Sequence, residues 1–133
     1  MHADKGDDVT VLCLSFGERG ESARLWKEGK TLDEVKAIRR AEAEAAAKVL
    51  DVSDIRFLYR GDYPLRFTEE AEAQVVDVIR AVQPKVMFSR SKWDPYNTDH
   101  MKTTDFALTC RMIAQAWGHN PGEQVLGAPQ MYL

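Results

Sequence analysis

The chain has 133 residues, with 18 Lys and Arg against 21 Asp and Glu, a net charge of -3 and 44% hydrophobic residues. That composition supports one core of ordinary size and excludes wholesale disorder; no run approaches the roughly 18 apolar residues of a membrane helix, and MHADKGDD is too polar for a signal peptide. No Lys/Arg block is present to neutralise phosphates, so nucleic-acid binding is set aside, and a cytoplasmic protein is expected.

The first element is Val9 to Phe16 (VTVLCLSF), an almost unbroken apolar run that predicts an interior parallel strand covered on both faces. A polar loop, GERGESARLWKEGK, follows it. Thr31 with Glu34 three residues on predicts a capping box opening a long helix, with Leu32, Val35, Ile38, Ala45 and Val49 as its inward stripe. Ile55 to Tyr59 (IRFLY) predicts a second strand, and RGDYPLRF a loop. Thr68 then caps a helix with Ala71, Val75, Val78, Ile79 and Val82 inward. Lys85 to Ser89 (KVMFS) predicts a third strand, and RSKWDPYNTDH leads into a helix with the stripe Phe106, Cys110, Ile113 and Trp117, ended by Gly118. The closing QMYL could begin one more strand.

This β-α-β-α-β-α order predicts a single α/β domain over residues 1–133, a parallel sheet with helices on both faces. MHADKG before an interior strand, and Leu133 inside an apolar run, suggest a domain lacking its first strand-helix unit and some C-terminal structure. Cys13 and Cys110 sit far apart on apolar faces, which predicts two reduced core thiols.

Ligands of open parallel sheets bind beyond the carboxyl ends of the strands, so the three loops after the strands are where chemistry is expected, on one shared rim. The first carries Glu18, Arg19, Glu21 and Ser22 between glycines; the second Asp62 and Tyr63; the third Asp94, Asn97, Asp99 and His100. GERGES lacks the glycine spacing and Lys of a phosphate loop, but two carboxylates beside an Arg suit proton transfer and substrate holding. A solvated turn with a surface ion pair is the alternative. His100, next to Asp99 at a loop-helix junction, is the best candidate metal ligand, since a carboxylate can orient an imidazole; Asp99 could equally be the helix N-cap. Arg39 and Arg40 have Glu42 and Glu44 nearby, as helix-surface ion pairs would.

In order, LSFGERGES, IRRAEAEAAAKVL, GDYP and DPYNTDH resemble the PIG-L or LmbE family of metal-dependent enzymes over nearly the whole chain. The resemblance implies a Rossmann-like α/β fold and a zinc site, with His100 as one ligand and two more expected outside this chain; His2-Ala3-Asp4 does not replace them. Family deacetylases show His-Pro-Asp-His where this chain has Asn97-Thr98-Asp99-His100, so the cationic oxyanion donor is missing at Asn97. The longer strings LSFGERGES, KWDPYNTDH and IAQAWGHNPGEQVLGAP resemble the family's 4-oxalomesaconate hydratase branch, which hydrates an unsaturated tricarboxylate in gallate and protocatechuate breakdown. That likeness implies Glu21, or second Glu18, as the carboxylate that moves a proton, and Asp99 orienting His100. It implies Arg19, Arg39, Arg40, Asn97 and, more weakly, Asp62 around a small anionic substrate. A zinc-dependent N-deacetylase acting on an N-acetyl amino sugar is the second reading. A truncated, inactive domain, pairing with another copy through its sheet edge, is the third.

Overall fold

The computed structural model describes residues 5–119 and 127–133, and divides the chain into two units, Met1–Arg66 and Phe67–Leu133. The His2-Ala3-Asp4 segment lies outside the described residues.

In the first unit, strand β1 (Thr10–Cys13) pairs in parallel with β2 (Asp54–Phe57), Val11 facing Ile55 and Cys13 facing Phe57. The Leu58 and Arg60 N–H groups donate to the Cys13 and Leu14 carbonyls at 3.0 and 2.9 Å, carrying the pairing past the strand ends. β1 is shorter than VTVLCLSF suggested, and Val11 is exposed rather than covered. The loop expected after it contains a short helix, α1 (Ala23–Lys27), which buries Leu25.

Helix α2 (Leu32–Val49) opens on the expected capping box: the Glu34 N–H donates to the Thr31 hydroxyl, and the Thr31 N–H to the Glu34 carboxylate at 2.8 Å. Its inward face is narrower than the apolar spacing implied. Val35 and Ala47 are buried, while Ala45 is exposed and Val49 is 85% exposed. Phe16, stacked on Phe57 at 5.2 Å between centroids, joins Leu25, Val35, Val52 and Leu65 in the core.

In the second unit, Thr68 caps α3 (Glu69–Val82) as expected, its hydroxyl accepting the Ala71 N–H. The buried stripe is Ala71, Val75, Val76 and Ile79, and it includes Arg80, which the apolar pattern did not reveal. β3 (Val86–Phe88) pairs in parallel with β4 (Gln130–Tyr132), so the closing QMYL does form a strand. The strands therefore form two parallel pairs, β1 with β2 and β3 with β4.

α4 (Thr98–Ala114) packs on α3 through Phe106, Cys110 and Ile113. Trp117 lies beyond its end and is 83% exposed, because the helix stops before Gly118. It stops where Arg80 takes its last carbonyls: Nε donates to the Ala114 oxygen at 3.2 Å and Nη2 to those of Ile113, Ala116 and His119. Both cysteines are free thiols; Cys110 is buried and Cys13 only partly so.

Candidate functional site

The candidate residues form two clusters, one in each unit. In the first, Gly17 enters the turn after β1 with a φ of 70°, a left-handed conformation that favours glycine. The Glu21 N–H and the Ser22 hydroxyl both donate to the Gly17 carbonyl, closing the turn. The Glu18 side chain folds inward, fully buried, and Oε2 accepts the Phe16 N–H at 3.1 Å. The other oxygen, Oε1, is buried with no hydrogen-bond partner among the described residues; the Arg19 guanidinium is 3.8 Å away, beyond hydrogen-bonding range. Glu21 is exposed. Burial thus separates the two carboxylates, of which the resemblance puts Glu21 first and Glu18 second.

Asp62, the weaker rim candidate, lies on the loop after β2. It is 5% exposed, and its carboxylate accepts the Arg19 N–H at 2.9 Å and the Gly20 N–H at 3.0 Å. A buried carboxylate binding two backbone donors is committed to holding the turn. Arg40 is also occupied: Nε pairs with Glu44 at 2.8 Å, Nη1 donates to the Tyr59 hydroxyl at 2.7 Å, and the guanidinium lies over the Phe57 ring at 5.2 Å. Arg39 donates from Nε to the Phe16 carbonyl and pairs with Glu42, and its Nη2 end faces Gly17. Of the three arginines, Arg19 stands beside Glu18, with its side chain 45% exposed.

In the second cluster the N-cap of α4 is Asn97, not Asp99. Asn97 Oδ1 accepts the Asp99 N–H at 3.0 Å, which turns its amide nitrogen toward His100 Nε2, 3.2 Å away. The carboxylate on the imidazole is Asp94, where Asp99 was expected, Oδ2 standing 2.7 Å from His100 Nδ1. Adjacent residues on a helix point about 100° apart; Asp99 turns instead to Lys102 at 3.3 Å. Asp94 folds back through a turn in which Oδ1 accepts the Tyr96 and Asn97 N–H groups. His100 holds the Asp94 carboxyl below the usual carboxylate range. In the tautomer that donates Nδ1–H to Asp94, Nε2 is the acceptor and the Asn97 amide nitrogen faces it. Asp-Pro at Asp94 was the available signal, since Asp before Pro favours this kind of turn.

A neutral imidazole nitrogen can ligate a metal once the Asn97 amide facing it turns away. Among the described residues, however, no group of three His, Cys, Asp or Glu side chains comes together to hold one, so no metal site is complete around His100.

The model of the family described as PIG-L, GlcNAc-PI de-N-acetylase, matches residues 1–111. The chain belongs to the PIG-L family. It is 47% identical over 133 residues to a 4-oxalmesaconate hydratase of Pseudomonas putida, covering 99% of this chain and 51% of that protein. It is 34% identical over 100 residues to a diacetylchitobiose deacetylase of Thermococcus kodakarensis, covering 73% of this chain and 36% of the relative. Among solved structures, the 4-carboxy-2-hydroxymuconate hydratase of Pseudomonas putida matches with a TM-score of 0.93 and 47% identity over 98% of this chain and 54% of its own. The chain spans about half the length of the hydratase relatives it matches. The PIG-L α/β architecture expected from the sequence is borne out by these neighbours, and among the described residues no helix is long and apolar enough to cross a membrane.

Proposed function

We propose that this chain carries residues of a zinc-dependent hydratase that adds water across a double bond of an unsaturated tricarboxylate such as 4-oxalomesaconate. The supporting observation is Glu18, a fully buried carboxylate with one oxygen anchored on the Phe16 N–H and the other free of hydrogen bonds among the described residues. A carboxylate so placed can take a proton from water or deliver one to carbon without reorganising. Hydration places OH on one carbon and H on the other, and both events need a group that holds and releases a proton at a fixed atom. In this reading that atom is Glu18 Oε1, with exposed Glu21 the second candidate.

Arg19 grips a substrate carboxylate through its guanidinium, whose fork geometry matches two carboxylate oxygens. Arg39 is the second cation of this reading, while Arg40 stabilises its own helix face. Zinc, if bound, would polarise substrate or water, with His100 Nε2 as one ligand and the others outside the described residues. Asn97 offers a neutral amide where family deacetylases have a cationic imidazole, and this favours hydration over amide hydrolysis. The reading places the enzyme in the cytoplasm.

The test is to incubate the purified, zinc-replete protein with 4-oxalomesaconate and follow loss of the conjugated absorbance, with acetate release from diacetylchitobiose measured in parallel. Loss of absorbance without acetate is expected. Acetate release with an unchanged tricarboxylate would replace this reading with the deacetylase one.

A further inference from the structure

The loop after β2 and the helix after the GERGES turn converge on one peptide unit, the bond between Glu18 and Arg19. Its carbonyl oxygen accepts the Trp26 indole N–H at 2.7 Å, and its N–H donates to Asp62 at 2.9 and 3.2 Å. A peptide plane held at both ends resists rotation, which restrains one of the two backbone torsions that set where the Glu18 side chain leaves the chain. The Phe16 N–H then takes Oε2, and Oε1 is left without a hydrogen-bond partner among the described residues.

We infer that Asp62 and Trp26 are positioning residues that clamp this peptide unit and thereby aim the Glu18 carboxylate. The inference rests on the reading of Glu18 as the proton-transferring group. Three further features of the same loop agree with a clamp. Asp62 extends its grip to the Gly20 N–H at 3.0 Å, so two consecutive amides are fixed by one buried carboxylate. The Tyr63 ring lies so close to Gly20 that any side chain there would collide with it. Tyr59 and Tyr63 both adopt left-handed backbone conformations, at φ of 56° and 46°, which non-glycine residues keep only where their surroundings impose them. Asp62 therefore acts on the reaction through the turn, although its acidity and its place in a loop resemble those of a substrate ligand.

The test uses isotopically labelled protein, with the Glu18 Cδ resonance assigned by its loss in Glu18→Gln. In Asp62→Asn, hydrogen exchange at the Arg19 and Gly20 amides should rise by about tenfold or more, the value of a lost hydrogen bond to a charged acceptor. The Glu18 Cδ resonance should move in both Asp62→Asn and Trp26→Phe. Hydration turnover should fall by about tenfold in each variant while KM stays within about twofold, as loss of an interaction that acts at the reacting step predicts. Should Asp62→Asn fail to fold, Trp26→Phe, which keeps the ring and loses only the N–H, carries the test. A Glu18 resonance unmoved in the folded variants would overturn the clamp. A protein that hydrates nothing, yet whose Glu18 resonance moves in these variants, would refute the proposed reaction and leave the clamp standing.

Discussion

Replacing Arg80 with methionine probes the least expected feature of the core. The guanidinium is 6% exposed and donates to four carbonyls at and beyond the end of α4. Two of them, Ile113 and Ala116, also accept backbone N–H groups, so they are not orphaned by the change. Among the described residues Ala114 and His119 have no donor but Arg80, the latter at 2.6 Å. Ala114 is buried, whereas His119 is exposed and its carbonyl can turn to water, so one buried acceptor loses its donor, at about 1–3 kcal/mol. Methionine retains the apolar stem and removes a charge that was expensive to bury, which returns part of this and leaves about 1.5 kcal/mol. In a urea melt followed by far-UV circular dichroism, with a slope of about 1.5 kcal/mol per molar, the midpoint should fall by about 1 M. Arg80→Lys should lie between, because one ammonium cannot reproduce the fork. A midpoint for Arg80→Met within about 0.3 M of the parent would mean that the α4 terminus is held by something else.

Three further changes have defined outcomes. Thr31→Ala removes one half of the capping box and should cost about 1 kcal/mol in the same melt, with little added loss when Glu34→Ala is combined with it, because the two bonds are reciprocal. The Cys110 thiol is pushed up to about 12 by burial, so iodoacetamide at pH 8 should label it only in denaturant; labelling at full speed in the native protein would mean that the α3–α4 packing opens readily. Asp54 is held below the usual carboxylate range by hydrogen bonds first from Arg56 and then from Thr10. Its folded pKa is the lower one, so its contribution is present above the ordinary value near 3.9 and lost as pH falls through the folded value. Asp54→Asn should therefore be less stable than the parent at neutral pH and converge with it in acid; a gap that persists in acid would contradict the pairing.

Local chemistry was legible in the sequence where it depended on residues a few positions apart. The capping box at Thr31 and Glu34, the Thr68 cap and the parallel strands all followed from spacing and side-chain type. What failed needed distances the sequence does not contain. Val49 continues the α2 stripe, yet it is the last helical residue and stands exposed. Trp117 continues the α4 stripe, but Arg80, 37 residues earlier, ends the helix first. In the candidate site, adjacency misled: Asp99 precedes His100, yet Asp94 reaches the imidazole because an Asp-Pro turn folds it back. Glu18 and Glu21 differ only in burial, which no local pattern records.

That difference carries the functional account, and hydration of 4-oxalomesaconate by Glu18→Gln and Glu21→Gln, measured side by side in zinc-replete protein, tests it most directly. Glutamine preserves the shape of Glu18 and its bond from the Phe16 N–H while removing the base. The account predicts a fall in turnover of about 10²- to 10⁴-fold for Glu18→Gln and a change within about threefold for Glu21→Gln. The reverse order, or equal small effects, would contradict it.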